Sequence, residues 1–226
     1  MRENVRVYEE MIRAVAGDPR FAGSPFRPTI SLKPSNYTLS PLTGKPGDTA
    51  AGSAEHVTHL VALAAEHGVQ VTVDMEDRHW TDFTLDLVNR LWADGHRNLG
   101  TVLQTRMKRC AKDLERIPAG MRLRLVIGIY REPAEVALTD KPAMKQLLLD
   151  YGEELLRRNV YVELATHDEA VIRRFLAERV ARAGKGPDEC EVQMLYGVPR
   201  QRLISEIQKG GLLAREGRVP KVRLYT

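Results

Sequence analysis

Short apolar blocks alternate with longer amphipathic stretches along almost the whole chain. The short blocks are rich in β-branched residues and predict strands, whereas the longer stretches have apolar residues at helical spacing. Glycine or proline follows most of the predicted helices, as expected where a helix ends. Seven strands are predicted in this way, at residues 29–33, 69–74, 100–104, 123–127, 160–165, 191–195 and 222–226.

The regular alternation of strands and helices predicts a parallel sheet with right-handed crossovers. An open doubly wound sheet and a (β/α)8 barrel both fit this pattern. The barrel is favoured because no glycine-rich nucleotide-binding loop follows the first strand. We therefore predict one α/β domain over residues 1–226, a TIM-type (β/α)8 barrel. It is expected to be incomplete, with seven strands and no eighth strand or final helix, and with a leading helix and loop in residues 1–28.

Composition excludes several classes of protein. The net charge is +4 and the pI is about 9.1, but the basic residues are dispersed among acids and form no stripe with aromatic residues. This distribution argues against nucleic-acid binding. The two cysteines, Cys110 and Cys190, form no CxxC motif, which favours free thiols in a reducing compartment. With no signal peptide and no apolar run long enough for a membrane span, we expect a cytoplasmic protein.

Polar residues at the strand ends are the strongest functional signal. The second predicted strand runs directly into Asp74 and Glu76, and charges at the end of a buried strand are costly unless they are paired. In a barrel, the C-terminal ends of all strands meet on one rim, where active sites lie. The residues predicted to meet there are Lys33, Asp74, Gln104, Arg124, Thr166, His167, Gln193 and Tyr225. A rim of mixed charge suits a small zwitterionic or carboxylate substrate, and a salt network that closes the barrel is the alternative.

A metal site is the rival interpretation of the same strand ends. Asp74, Glu76, His79 and His167 offer oxygen and nitrogen ligands, but no HxH or HExxH spacing occurs. We therefore predict no metal. Glu163 lies in the middle of a strand, and we expect it to face outward toward a helix.

The strand-end motifs, taken in order, resemble those of the proline dehydrogenases, the flavin enzymes that begin proline catabolism. The matching motifs are residues 31–33, 71–77, 102–104, 124–130, 165–168, 191–197 and 222–225. Each motif alone is weak, whereas the ordered set is specific. The family fold is a (β/α)8 barrel that binds FAD at its C-terminal rim, which agrees with the fold predicted above.

The resemblance implies a role for each strand end. Lys33 would bind the proline carboxylate, and Tyr130 and Tyr225 would pack against the proline ring. Asp74 and Arg124 would be catalytic, at the substrate and at the flavin. The residues implied to contact FAD are Met75, Gln104, Ile127, Gly128, Ile129, Thr166, His167 and Gln193.

The implied reaction is oxidation of L-proline to Δ1-pyrroline-5-carboxylate, with hydride transfer to flavin N5. The electrons would pass to quinone, so the resemblance also implies transient membrane association, peripheral at the inner membrane. Glu76 and Asp77 would orient loops and pair with nearby cations.

Three departures from the family pattern bear on activity. Ile127 replaces the usual lysine, the paired-arginine motif after the seventh strand is missing, and the N-terminal arm is short. The chain is therefore expected to be a shortened proline dehydrogenase with open barrel edges that favour self-association. The alternative is a catalytically weakened or non-catalytic barrel that acts as a flavin-binding or interaction protein.

Overall fold

Seven strands follow the predicted order. The computed structural model describes residues 2–24 and 26–225. The strands are β1 Ile30–Leu32, β2 Val71–Val73, β3 Leu99–Gln104, β4 Arg122–Val126, β5 Tyr161–Ala165, β6 Cys190–Leu195 and β7 Lys221–Tyr225. Each predicted strand is confirmed, with ends that differ by one or two residues at most. The predicted end of the last strand at Thr226 lies outside the described residues.

Helices occupy most of the connections between these strands. They are α1 Arg2–Gly17, α2 Ser53–Glu66, α3 Thr81–Ala93, α4 Cys110–Glu115, α5 Lys141–Arg157, α6 Glu169–Arg174, α7 Val180–Arg182 and α8 Gln201–Gln208. The sequence-level start signals work as expected at α5, where Asp140 accepts a hydrogen bond from the Ala143 amide and a proline occupies the first turn. A π-helical turn, Phe175–Arg179, separates α6 from α7.

The chain divides into two compact units between Val102 and Leu103. In the first unit, β1, β2 and β3 pair in parallel, with Val71 opposite both Ile30 and Leu99. All three residues of β2 are buried, as expected for a parallel strand that is covered on both faces.

The second unit contains the parallel strands β4 to β7 in chain order. Helix α5 packs against β4 and β5. Apolar residues of these strands are fully buried, among them Leu123, Leu125, Val162, Leu164 and Val192. The prediction of a single domain over residues 1–226 concerns both units together and stays a prediction.

Glu163 does not face outward, so that prediction was wrong. Its side chain is only 2% exposed and accepts a hydrogen bond from Arg122 Nε at 2.7 Å. In the parallel register Glu163 lies opposite Arg124. Because alternate strand residues face opposite sides of a sheet, Glu163 shares a face with these arginines, and its apolar neighbours occupy the other face.

Candidate functional site

In the first unit, Lys33 and Asp74 form an ion pair directly after β1 and β2. The Lys33 Nζ atom lies 3.2 Å from Asp74 Oδ2. The Asp74 amide donates to the Leu32 carbonyl, so the hydrogen bonding between β1 and β2 continues to the backbone of Asp74. The Lys33 side chain is 49% exposed and that of Asp74 is 15% exposed. The pair therefore presents a cation and an anion side by side, with the cation open to solvent.

The residues after Asp74 hold the surrounding loops. Met75 is buried. The Glu76 carboxylate accepts hydrogen bonds from the Ser35 amide at 2.9 Å and the Ser35 hydroxyl at 2.5 Å. Asp77 Oδ1 accepts from the His79 amide at 2.9 Å. These two acids orient the loops that follow β1 and β2, and Asp74 is the acid of this run that is paired with a lysine.

In the second unit, the segment after β4 lies against the end of β3. The Arg106 amide donates to the Ile127 carbonyl, and Arg106 Nη1 donates to the Tyr130 carbonyl at 2.7 Å. Gly128 has a φ of +108°, and a Cβ atom there would lie 2.4 Å from Gln104 Oε1. Only glycine fits this close approach without displacing Gln104. The next residue, Ile129, is 90% exposed.

Arg124, Gln193 and Tyr225 come together on one face of β4 to β7. Arg124 Nε donates to Gln193 Oε1 at 2.7 Å, and the guanidinium carbon lies 5.3 Å from the centre of the Tyr225 ring. This distance is typical of a cation–π contact. Arg124 is buried, so its direction is set by the groups around it.

Beneath Arg124 is a buried polar network that the sequence analysis missed. Gln193 Nε2 donates to Glu163 Oε2 at 2.8 Å and to Glu191 Oε1 at 2.6 Å. Arg223 donates to both carboxylate oxygens of Glu191. The missed signal is a charged or amide residue at every second position of otherwise apolar strands, a period that places such residues on one face.

The environment of Glu191 determines its ionisation. Burial acts to raise the pKa of this carboxyl, but the hydrogen bonds from Arg223 and Gln193 and the nearby charges outweigh it. The pKa therefore lies below its ordinary value of 4.5. Glu191 is an anion at neutral pH, which suits it to hold the amide of Gln193.

The loop after β5 carries Thr166, His167 and Asp168. Thr166 Oγ1 accepts from the Asp168 amide, and Asp168 caps α6 by accepting from Val171. His167 Nε2 accepts from the Leu195 amide at 3.2 Å, a bond that assigns the ring proton to Nδ1. That Nδ1 atom is buried and has no hydrogen-bond partner in the part of the chain that the structure describes. It is a donor suited to an acceptor on a bound molecule.

Both cysteines are buried free thiols, which confirms that prediction. Burial raises the pKa of Cys110 to about 12 and that of Cys190 as well. Within residues 2–24 and 26–225, no three His, Cys, Asp or Glu side chains are grouped to hold a metal ion. No helix in those ranges has the length and apolar character that crossing a membrane requires.

A family model decides the relationship of this chain to known proteins. The model described as proline dehydrogenase matches residues 1–132, more than half of the chain. This chain belongs to the proline dehydrogenase family. The membership predicted from the ordered strand-end motifs is thereby confirmed.

Relatives in the proline dehydrogenase family cover most of this chain. It is 33% identical to proline dehydrogenase of Deinococcus radiodurans over 204 residues, which are 88% of this chain and 60% of that protein. It is 31% identical to proline dehydrogenase 2 of Bacillus subtilis strain 168 over 157 residues, which are 69% of this chain and 51% of that protein. The chain therefore spans between about half and three fifths of the length of these curated relatives.

Solved structures show the fold that the family shares. Proline utilization A of Bradyrhizobium japonicum matches with a TM-score of 0.76 and 19% identity, over 99% of this chain and 24% of that protein. Proline utilization A of Bdellovibrio bacteriovorus, inactivated by N-propargylglycine, matches with a TM-score of 0.75 and 18% identity, over 99% of this chain and 26% of that protein. The predicted fold class, a TIM-type (β/α)8 barrel that is incomplete, is confirmed, with seven strands in the described ranges.

The residues that the family resemblance implied form separate groups within the two units. Lys33 and Asp74 meet in the first unit, followed in the chain by buried Met75. In the second unit, Arg124 meets Gln193 and Tyr225. Gln104 lies against Gly128 in that unit, and the remaining implied residues, Ile127, Ile129, Tyr130, Thr166 and His167, lie in the loops after β4 and β5.

Proposed function

We propose that this chain oxidises L-proline to Δ1-pyrroline-5-carboxylate with FAD as its cofactor. The observation that carries the proposal is the Lys33–Asp74 pair. Free proline is a zwitterion with one carboxylate and one secondary ammonium group, and a cation beside an anion complements it. Membership of the proline dehydrogenase family and the names of the relatives support the same substrate.

The proposed roles in the first unit follow from charge and exposure. Lys33 binds the substrate carboxylate, because its side chain is 49% exposed and carries the positive charge that pairs with a carboxylate. Asp74 accepts a hydrogen bond from the ring nitrogen of proline and holds that end of the substrate. The oxidation removes a hydrogen with its electron pair from the ring CH2 carbon beside this nitrogen. One of the two ammonium protons passes to water, so that the nitrogen lone pair forms the C=N bond.

The second unit fits FAD on two observations. Gly128 allows a backbone approach that a Cβ atom would block, and the buried Nδ1 of His167 is a donor without a protein partner in the described ranges. We propose that Gln104, Thr166, His167 and the backbone of residues 127–129 hold the cofactor. When bound, FAD supplies the acceptor for the hydrogen and electron pair that leave proline.

Arg124 is proposed to lie at the flavin, where a buried cation stabilises negative charge. Tyr225 packs against this arginine. We further propose quinone as the final electron acceptor. A cytoplasmic protein would then contact the inner membrane transiently and peripherally when it delivers electrons.

Product formation tests this proposal. The purified chain, loaded with FAD and given an artificial electron acceptor, should convert L-proline into an imine that an amine reagent traps. D-proline should give little product, because with its nitrogen at Asp74 and its carboxylate at Lys33 the mirror-image ring holds its reacting carbon in a different position. Asp74→Asn should lower the rate by about tenfold or more, because it removes the charge-assisted bond to the ring nitrogen. FAD binding without product would favour the alternative, a weakened flavin-binding barrel.

A further inference from the structure

The carboxamide of Gln193 can take only one orientation. Its Nε2 atom lies 2.8 Å from Glu163 Oε2 and 2.6 Å from Glu191 Oε1, two oxygens that only accept hydrogen bonds. Its Oε1 atom lies 2.7 Å from Arg124 Nε, which only donates. A flipped amide would oppose oxygen to oxygen on one side and nitrogen to nitrogen on the other. Contacts to both the oxygen and the nitrogen of the amide therefore fix the side chain of Gln193.

The sheet register explains why these four side chains meet. Arg124 lies opposite Glu163, Glu163 lies opposite Glu191, and Gln193 is two residues after Glu191 on the same strand face. Arg124 Nε is 3.9 Å from Glu163 Oε2, which is too far for a hydrogen bond. The amide of Gln193 bridges these groups, because it accepts a hydrogen bond from Arg124 Nε and donates to both carboxylates.

We propose that Gln193 is a positioning residue that fixes the direction of the Arg124 guanidinium by joining it to the carboxylates of Glu163 and Glu191. Both carboxylates and Gln193 are buried, so water does not compete for these bonds. The Nε edge of Arg124 is then held toward the network, and this fixes the plane of the whole guanidinium group. Gln193 would act through Arg124, instead of contacting FAD as the sequence resemblance implied.

This inference rests on the proposed function only for the ligand that Arg124 serves, so its first test uses the chain without cofactor. In ¹⁵N NMR, the side-chain Nε–H signal of Arg124 is the one that Arg124→Lys removes. Its hydrogen should exchange slowly with solvent in the unsubstituted chain. Gln193→Met keeps the length of the side chain and removes the acceptor, and should speed this exchange by about tenfold or more.

Two further variants keep the test decisive if Gln193→Met does not fold. Glu191→Gln keeps the shape and weakens one anchor of the amide, so exchange at Arg124 should rise by about threefold. Tyr161→Phe is the matched control. The Tyr161 hydroxyl donates to Glu191 at 3.3 Å but has no bond to Gln193 or Arg124 in the described network, so the exchange rate should stay the same. Unchanged exchange in folded Gln193→Met, or in Glu191→Gln where that variant alone folds, overturns the inference.

The FAD-loaded chain provides the second readout. Gln193→Met should lower kcat for L-proline by about tenfold while KM changes by less than about threefold, because proline is bound by Lys33 and Asp74. A change confined to KM, or an equal loss of kcat in Tyr161→Phe, overturns the positioning role. If the unsubstituted chain binds no FAD, the proposed function fails, and the exchange measurement still decides whether Gln193 positions Arg124.

Discussion

The Lys33 ammonium nitrogen lies 3.2 Å from Asp74 Oδ2, and the two residues follow neighbouring parallel strands. The acid is mostly covered and the lysine is half exposed. Because the lysine is open to solvent, its charge is screened, and we expect the pair to contribute no more than about 1 kcal/mol to stability. Binding of a zwitterion at this pair and folding of the protein should therefore be separable by substitution.

Lys33→Met should weaken L-proline binding by about tenfold to a hundredfold, because it removes the proposed charge-assisted hydrogen bond to the substrate carboxylate. The free energy of unfolding should change by less than about 1 kcal/mol. Steady-state KM and urea denaturation measure the two quantities. Lys112→Met, which replaces an exposed lysine of α4, should leave both unchanged. A proline affinity that survives Lys33→Met would remove Lys33 from the site.

Gly128→Ala should weaken FAD binding. The φ of +108° is unfavourable for alanine, and the added Cβ would lie 2.4 Å from Gln104 Oε1. Gln104 must then move away from the position in which it is proposed to contact the cofactor. The strain alone costs about 1–2 kcal/mol of stability, and equilibrium titration with FAD measures the change in affinity.

Gly184→Ala is the matched control for this substitution. Gly184 also has a positive φ, +71°, but a Cβ atom there would meet nothing within 4 Å. The control should therefore lose stability from backbone strain and keep its affinity for FAD. An equal loss of FAD affinity in both variants would show that backbone strain, and not the displacement of Gln104, causes the effect.

Glu191→Gln should change how stability depends on pH. The folded-state pKa of Glu191 lies below 4.5, so this group stabilises the folded chain fully above the unfolded-state pKa. That stabilisation is lost as the pH falls through the lower folded-state pKa. At pH 7 the variant should be less stable by about 3 kcal/mol, because a buried partner of Arg223 loses its charge. The difference should shrink steadily below pH 4.5.

Urea denaturation at a series of pH values measures this effect. Glu216→Gln serves as the comparison, because Glu216 is an exposed acid whose side chain is 72% accessible. The comparison variant should follow the pH profile of the unsubstituted chain throughout. A constant stability difference between Glu191→Gln and the unsubstituted chain from pH 7 to below 4 would contradict an ionised Glu191.

Strand positions were predictable because each strand contains apolar or β-branched residues that stand out from the polar segments around it. β2 is the clearest case, since all three of its residues are β-branched and buried. Its predicted start was two residues too early, because hydrophobicity continues into Val69 before the sheet pairing begins. The ends of strands depend on the neighbouring strand, which a single sequence does not display.

The arrangement of the candidate site was predictable where it depends on strand ends, and missed where it depends on strand faces. Lys33 and Asp74 were identified because each follows an apolar run. The orientation of Glu163 was predicted wrongly because the apolar residues on both sides of it suggested a buried interior with helices outside. Its true orientation follows from the register with Arg124 and Glu191, and the cross-strand network around Gln193 becomes visible only when those strands are paired.

Anaerobic titration of the FAD-loaded chain with L-proline tests the central claim most directly. The visible absorbance of oxidised flavin should be lost on adding L-proline and should persist with D-proline. The Lys33→Met variant should need at least about tenfold more L-proline for the same loss of flavin absorbance. A chain that binds FAD and keeps its full flavin absorbance at saturating L-proline would contradict the proposed oxidation of proline.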